Sequence, residues 1–319
     1  MNGAAQGRRS FLRTATGAAA AAATARVGSA FQGAPARDRR IRLGAPMTVP
    51  GDDPEALPRA CRDKGYRAAY CPKVPLDDRE RLRATEAAFK KHDVVIAEVG
   101  RWVNLLDADP AARAKNLATV TEGLALAEEL GVRCCVDIAG SFSATSWFGP
   151  HPDNLTERFF DAAVENARKI LDAVKPKRTT FCYELMAWSL PDSPDACLRM
   201  VAAVDRPAFS IHLDPCNLIN SPERYYGSSD VIRECYRKLG PRISSVHAKD
   251  LAWDVAYAVQ FREVRIGLGS IDYGVFLSEH LRYAPEAPLM LEHLPSEAEY
   301  DAAHDQVRAA GNRVGIGFD

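Results

Sequence analysis

Four side chains in this chain have the types and spacing to do chemistry together. Glu184, Asp214, His247 and Glu292 each stand near the carboxyl end of an otherwise apolar stretch: TTFCYELM from Thr179, FSIHLDPCNLI from Phe209, ISSVHAKD from Ile243 and LMLEHL from Leu289. A single acid at such a place is commonly a helix cap or an ion-pair partner. Four in succession point elsewhere, because buried charge is too costly to recur without a metal or a substrate to receive it. Three carboxylates and one imidazole form a hard, oxygen-rich set that suits one divalent ion, Mn²⁺, Co²⁺ or Mg²⁺ in preference to Zn²⁺. Such an ion could hold a sugar's carbonyl and the adjacent hydroxyl, and so stabilise the enediolate formed when the carbon between them loses a proton. Glutamates on two different strands would reach the substrate from different sides, one removing the proton and the other returning it.

The elements that must position these residues alternate along the chain. Strand-like runs are expected at 40–45, 66–71, 93–99, 132–139, 179–186, 208–214, 243–250 and 289–294, with helical patterns at 54–64, 76–91, 110–130, 154–174, 193–204, 229–239, 273–283 and 296–310. Asp109, Asn154 and Ser296 read as helix N-caps, and Gly65, Gly131 and Gly240 as left-handed helix ends. Eight strand-then-helix units in about 280 residues predict an α/β fold of the closed (β/α)8 type, the TIM barrel, with one domain over 37–319. No G-x-G-x-x-G follows the first strand, which speaks against an open dinucleotide-binding sheet. Strand parity puts Cys182, His212, Ser245 and Met290 on the inward face with the four candidates. His212 is read as a core histidine, with a supporting role beside Asp214 as the alternative.

The chain resembles the sugar phosphate isomerase/epimerase family with the xylose isomerase-like barrel, whose members include ketose 3-epimerases, inosose dehydratases and, more distantly, endonuclease IV. The resemblance runs from about residue 40 to 310 and is carried by YELM, HLDPCNLI, VHAKD, GLGSIDYGVFL and LMLEHLPSEAEY. It implies that Glu184, Asp214, His247 and Glu292 are metal ligands and that Glu184 and Glu292 are also the acid/base pair. Many members carry histidine three residues after the aspartate, where this chain has Asn217; an amide binds a hydroxyl but does not titrate, so a substrate-binding role is expected there. Lys249 follows the family's H-x-K-D pattern and is expected to touch substrate or to pair with an acid.

His151, Trp147 and Trp102 lie on loops after the fourth and third strands and are read as substrate-binding, with Arg101, Asn104, Asn154, Tyr225 and Tyr226 as neighbours of the same kind. The connection from Leu251 to Leu268 is long enough for a lid.

Residues 1–36 differ from the rest. They contain Arg8, Arg9, Arg13 and Arg26, no acid, and an Ala-rich tract, and Arg8–Arg13 reads RRSFLR. This resembles a twin-arginine export signal, which predicts a periplasmic or extracellular protein. Loss of those arginines takes the formal charge from −1 to −5, an acidic balance that argues against a nucleic-acid partner. No later stretch is apolar enough to span a membrane. The eight cysteines show no C-x-x-C spacing and are expected to be free, buried and small. The partner expected is a small carbohydrate, with homo-oligomerisation left open. Two enzyme readings follow: isomerase or epimerase of an unphosphorylated sugar or keto-sugar, or a lyase of keto-glycosides using the same proton abstraction. A metal-dependent nuclease and a non-catalytic sugar-binding barrel are the remaining alternatives.

Overall fold

The apolar, β-branched stretches form strands because each buries both faces, one toward helices and one toward the barrel interior. The computed structural model describes residues 40–318, so the leader expected at 1–36 lies outside the described residues. The strands are β1 (Leu43–Ala45), β2 (Ala68–Tyr70), β3 (Val95–Gly100), β4 (Cys134–Asp137), β5 (Thr180–Glu184), β6 (Phe209–Leu213), β7 (Ile243–Ala248), β8 (Asp250–Trp253), β9 (Phe261–Val264) and β10 (Leu289–Leu291). All but β8 and β9 pair in parallel and close in the order β1-β10-β7-β6-β5-β4-β3-β2. The expected eight-stranded barrel is therefore present.

Helices α1 (Ala56–Asp63), α2 (Arg79–Lys91), α3 (Pro110–Leu130), α4 (Glu157–Val174), α5 (Pro194–Val204), α6 (Pro222–Tyr226), α7 (Ser228–Leu239), α8 (Tyr273–Tyr283) and α9 (Glu297–Arg313) fill the connections. Asp109 and Ser296 cap α3 and α9 as expected, accepting from the N–H groups of Ala111 and Glu299. Asn154 does not cap α4. Its amide instead ties loops together, accepting from Phe142 N–H and donating to Ser141 Oγ, Gly149 O and Trp188 O. Gly131 is left-handed at φ 66° and ends α3, whereas Gly240 is right-handed. Gly240 is needed for space, since a Cβ there would lie 2.8 Å from Tyr283 O.

Two packing regions divide the apolar interior. The larger lies between strands and helices, and the smaller lies inside the barrel, where Ala68, Ala97 and Met290 form one cluster and Cys134, Val136 and Cys182, with Trp102 against them, form another. Met290 fills the barrel only because Gly44 faces it, as a Cβ at Gly44 would stand 2.6 Å from Met290 Sδ. Outside β5 and β6, Tyr183 packs edge-on against Phe181 and Phe209 at 5.1 and 5.6 Å and donates its hydroxyl to Ala163 O on α4. Aromatic pairs of this kind contribute about 0.5–1.5 kcal/mol each beyond burial. They stiffen the wall from which Glu184 and Asp214 project. The eight cysteines are free, seven of them buried and Cys71 partly so. Among the described residues no helix is long and apolar enough to cross a membrane.

Candidate active site

The site is built on four neighbouring strands, β5, β6, β7 and β10, at their carboxyl ends. Glu184 is the last residue of β5. Asp214 follows β6 directly, where Pro215 lacks the N–H to continue the strand and opens a short 3-10 turn, Pro215–Leu218. One Asp214 oxygen accepts the N–H of Cys216 at 2.9 Å, which fixes the carboxylate with its other oxygen directed to the cluster. His247 lies near the end of β7 and is fully buried. Its Nδ1 is 3.3 Å from Glu184 Oε1 and 3.0 Å from Glu292 Oε2. One donor atom from each of Glu184, Asp214, His247 and Glu292 lies within 4.8 Å of all the others.

Lys249 completes the charge pattern from two residues beyond His247. Its Nζ is 2.8 Å from Asp214 Oδ2, 2.8 Å from Glu292 Oε2 and 3.5 Å from Glu263 Oε1. Burial disfavours the Lys249 ammonium, but the carboxylates of Asp214, Glu292 and Glu184 outweigh it and hold its pKa well above the ordinary lysine value. In the same way burial works against the Glu292 carboxylate, yet His247 and Lys249 keep it well below the usual range. The His247 imidazole, pressed down by burial, is pulled well up by Glu98, Glu292 and Glu184.

These donors fit a divalent cation. Asp214 Oδ2 and Glu292 Oε2 are buried and accept no aligned hydrogen bond; the 2.8 Å approach of Lys249 to each is an ion-pair contact and not an oriented bond. One imidazole nitrogen and three carboxylates, all oxygen-rich, converge where unsatisfied acceptors remain, and a hard cation satisfies all of them at once. The residues that would hold it are the four expected from the sequence.

The other expected residues divide. Asn217 joins the site, donating to Glu184 Oε1 at 3.3 Å and to Leu185 O at 3.0 Å. Trp102 enters the barrel and packs 6.1 Å from the His247 ring and 6.4 Å from His212. His151 accepts from Asp153 N–H and packs edge-on to Phe142, and Trp147 is 41% exposed against Phe148; neither is part of the four-donor cluster. The 251–268 connection is an antiparallel hairpin, β8 with β9. Its base is pinned by Asp250, whose carboxylate accepts the N–H groups of Leu251, Gly267, Gly269 and Ile271. Gly269 must lack a side chain, since a Cβ would fall 2.1 Å from Asp250 Oδ1.

Three contributors were not singled out from the sequence. The hairpin carries Glu263 to Lys249 and to His293, whose Nδ1 is 2.9 Å from Glu263 Oε2. His293 sits at φ 59°, a left-handed position uncommon for a side-chain-bearing residue, and its hydrogen bond to Glu263 raises its pKa. Beneath the cluster lies Glu98, joined to His212 and His247. The sequence did carry a signal for Glu98, a lone acid in the apolar strand VIAEVG.

The family described as xylose isomerase-like TIM barrel matches residues 58–310. The chain belongs to that family. One relative of this xylose isomerase-like chain is the "Probable L-ribulose-5-phosphate 3-epimerase UlaE" of Mycoplasma pneumoniae, 24% identical over 185 residues, which are 56% of this chain and 54% of that protein. The match thus spans about half of the relative's length. Among solved structures, a xylose isomerase-like TIM barrel protein from Mycobacterium smegmatis in complex with magnesium superimposes with a TM-score of 0.62 at 18% identity, over 86% of this chain and 98% of that one. The 3-keto-D-glucoside 4-epimerase YcjR of E. coli gives 0.60 at 14% identity, over 86% and 100%. At these identities the two structures bear on the fold.

Proposed function

We propose that this protein is a divalent-metal-dependent isomerase or epimerase of an unphosphorylated sugar or keto-sugar. The observation that carries the reading is the convergence of Glu184 and Glu292 on His247, from the two ends of the arc β5-β6-β7-β10, with Asp214 between them. A divalent ion bound there would supply positive charge to the oxygens of a substrate carbonyl and its neighbouring hydroxyl. Glu184 and Glu292 approach that position from different sides, so one removes the proton from carbon beside the carbonyl and the other returns it to the enediolate. Asn217, bonded to Glu184, offers an amide that orients a substrate hydroxyl without exchanging protons. His247 and, after it, Lys249 keep Glu292 ionised, the form in which it can accept a proton.

The Mycoplasma pneumoniae relative is named for a phosphorylated sugar. Here Lys249 and His293, the basic side chains beside Glu292, both contact carboxylates already, so neither of them is a free cation for a phosphate. Export by way of residues 1–36, which forms part of this proposal, favours unphosphorylated substrates as well. Exchange of substrate hydrogen with deuterated water, screened over ketoses, aldoses and keto-glycosides with Mn²⁺ added, tests the reading. Exchange with conversion to an epimer or isomer is expected for one class. Elimination of the glycosidic group after exchange would instead make the protein a lyase, and no exchange with any class would end the proposal.

A further inference from the structure

Glu98 stands on β3, four strands around the ring from β7, and reaches across the barrel interior to the underside of the site. It is 1% exposed, and its partners His212, Ser245 and His247 are fully buried. Oε1 is 3.2 Å from His247 Nε2. Oε2 is 3.0 Å from His212 Nε2 and accepts the Ser245 hydroxyl at 2.9 Å. An ionised carboxylate only accepts, so each imidazole must present an N–H from Nε2. His247 therefore has Nε2 committed to Glu98 and Nδ1 turned toward Glu184 and Glu292.

We propose that Glu98 is the positioning residue of the metal centre, fixing the ring orientation and the proton of His247 so that Nδ1 is the ligand atom. The proposal rests on the metal reading above. Without this bond the ring could turn about χ2 and present Cδ2 where Nδ1 now stands, and a carbon cannot bind a cation. His212 braces the carboxylate from the neighbouring strand. Its ring lies 4.1 Å from that of His247 at 69°, while its own Nδ1 finds no partner, so its contribution runs through Nε2. Trp102 closes over both rings. Glu98, His212 and His247 also bring three donor atoms together, but both oxygens of Glu98 are already occupied by N–H and O–H donors. A brace accounts for that pattern directly.

Two measurements test this. In spectra of the metal-free wild-type protein carrying isotope-labelled histidine, the Nε2–H of His247, assigned by its loss in His247→Gln, should be a slowly exchanging proton. It should persist when Mg²⁺ is added. A His247 without an N–H at Nε2 would overturn the proposal, whatever happens to variants. In calorimetric titration with Mn²⁺, Glu98→Gln should bind about 10–100-fold more weakly than wild type, because its amide must turn an N–H toward one of the imidazoles. A folded Glu98→Gln that binds Mn²⁺ within threefold of wild type would refute the role. Two ions bound by wild type, falling to one in Glu98→Gln, would likewise refute it and make the lower cluster a second metal centre. If wild type takes up no Mn²⁺ the metal reading fails by itself, and the imidazole proton still decides whether Glu98 holds His247.

Discussion

Lys249 Nζ stands 2.8 Å from Glu292 Oε2, so an ammonium just beyond the end of β7 faces an acid just beyond the end of β10. Both are largely enclosed, and Lys249 also meets Asp214. Removing one partner of a buried pair leaves the other uncompensated, at a cost of about 3–5 kcal/mol. Lys249→Met should therefore lose about that much stability in denaturant unfolding with a chelator present, and saturating Mn²⁺ should restore part of it. A loss below about 1 kcal/mol would show that the contact carries little.

Asp214→Asn keeps the oxygen that accepts from Cys216 N–H but removes the charge, and His247→Gln removes the only nitrogen donor among the four. If the proposed centre holds an ion in wild type, each variant should emerge from purification without it, with circular dichroism of the barrel unchanged. Elemental analysis decides; full occupancy in either variant would mean that the ligand set is different.

Glu184→Asp and Glu292→Asp retain charge but withdraw each carboxylate by one methylene. Proton transfer tolerates a displacement of about 1 Å poorly, losing on the order of a hundredfold in rate, while coordination can relax around it. Turnover on a confirmed substrate should fall on that scale, and Mn²⁺ affinity should fall much less. One variant should still exchange the proton of one epimer without converting it. Near-normal turnover in both would make these glutamates structural ligands.

Away from the site, His280 on α8 is buried, receives the Tyr236 hydroxyl on Nδ1 and bonds Ala287 O through Nε2. Burial pushes its pKa down to about 4, against the usual 6.5. The unfolded chain takes up a proton near pH 6.5 that the folded protein refuses until about pH 4, so stability is full above pH 6.5 and declines through that window. The decline attributable to His280 is about 3 kcal/mol. Unfolding curves at intervals from pH 7 to pH 4 should show it, and His280→Gln, though less stable at neutral pH, should show a shallower slope.

Replacing Arg8 and Arg9 by Lys should leave the protein in the cytoplasm of its host if residues 1–36 form a twin-arginine leader. Cell fractionation of the two forms reads this out, and unchanged export would remove that part of the proposal.

By itself the sequence determined the eight strand-and-helix units, the barrel and the four clustered donors, because these depend on local rules: apolar runs, their stops at Pro215 and the following loops, helix caps, and parity along a strand. It also placed Asn217 and Lys249 beside those donors, since Asn217 is three residues from Asp214 and Lys249 two from His247. What only the tertiary structure decided depends on closure and register. Glu98 meets His247 across 149 positions of sequence because β3 and β7 face each other in a closed ring, and Glu263 reaches His293 because the 251–268 connection folds back as a hairpin. Asn154 could satisfy a helix end or a loop with the same amide. Contacts with Ser141, Gly149 and Trp188, remote from the α4 end it precedes, selected the loop. Local pattern sets which way a side chain points along its own strand, whereas the partner it meets is set by strand order and stagger, which no single stretch of sequence contains.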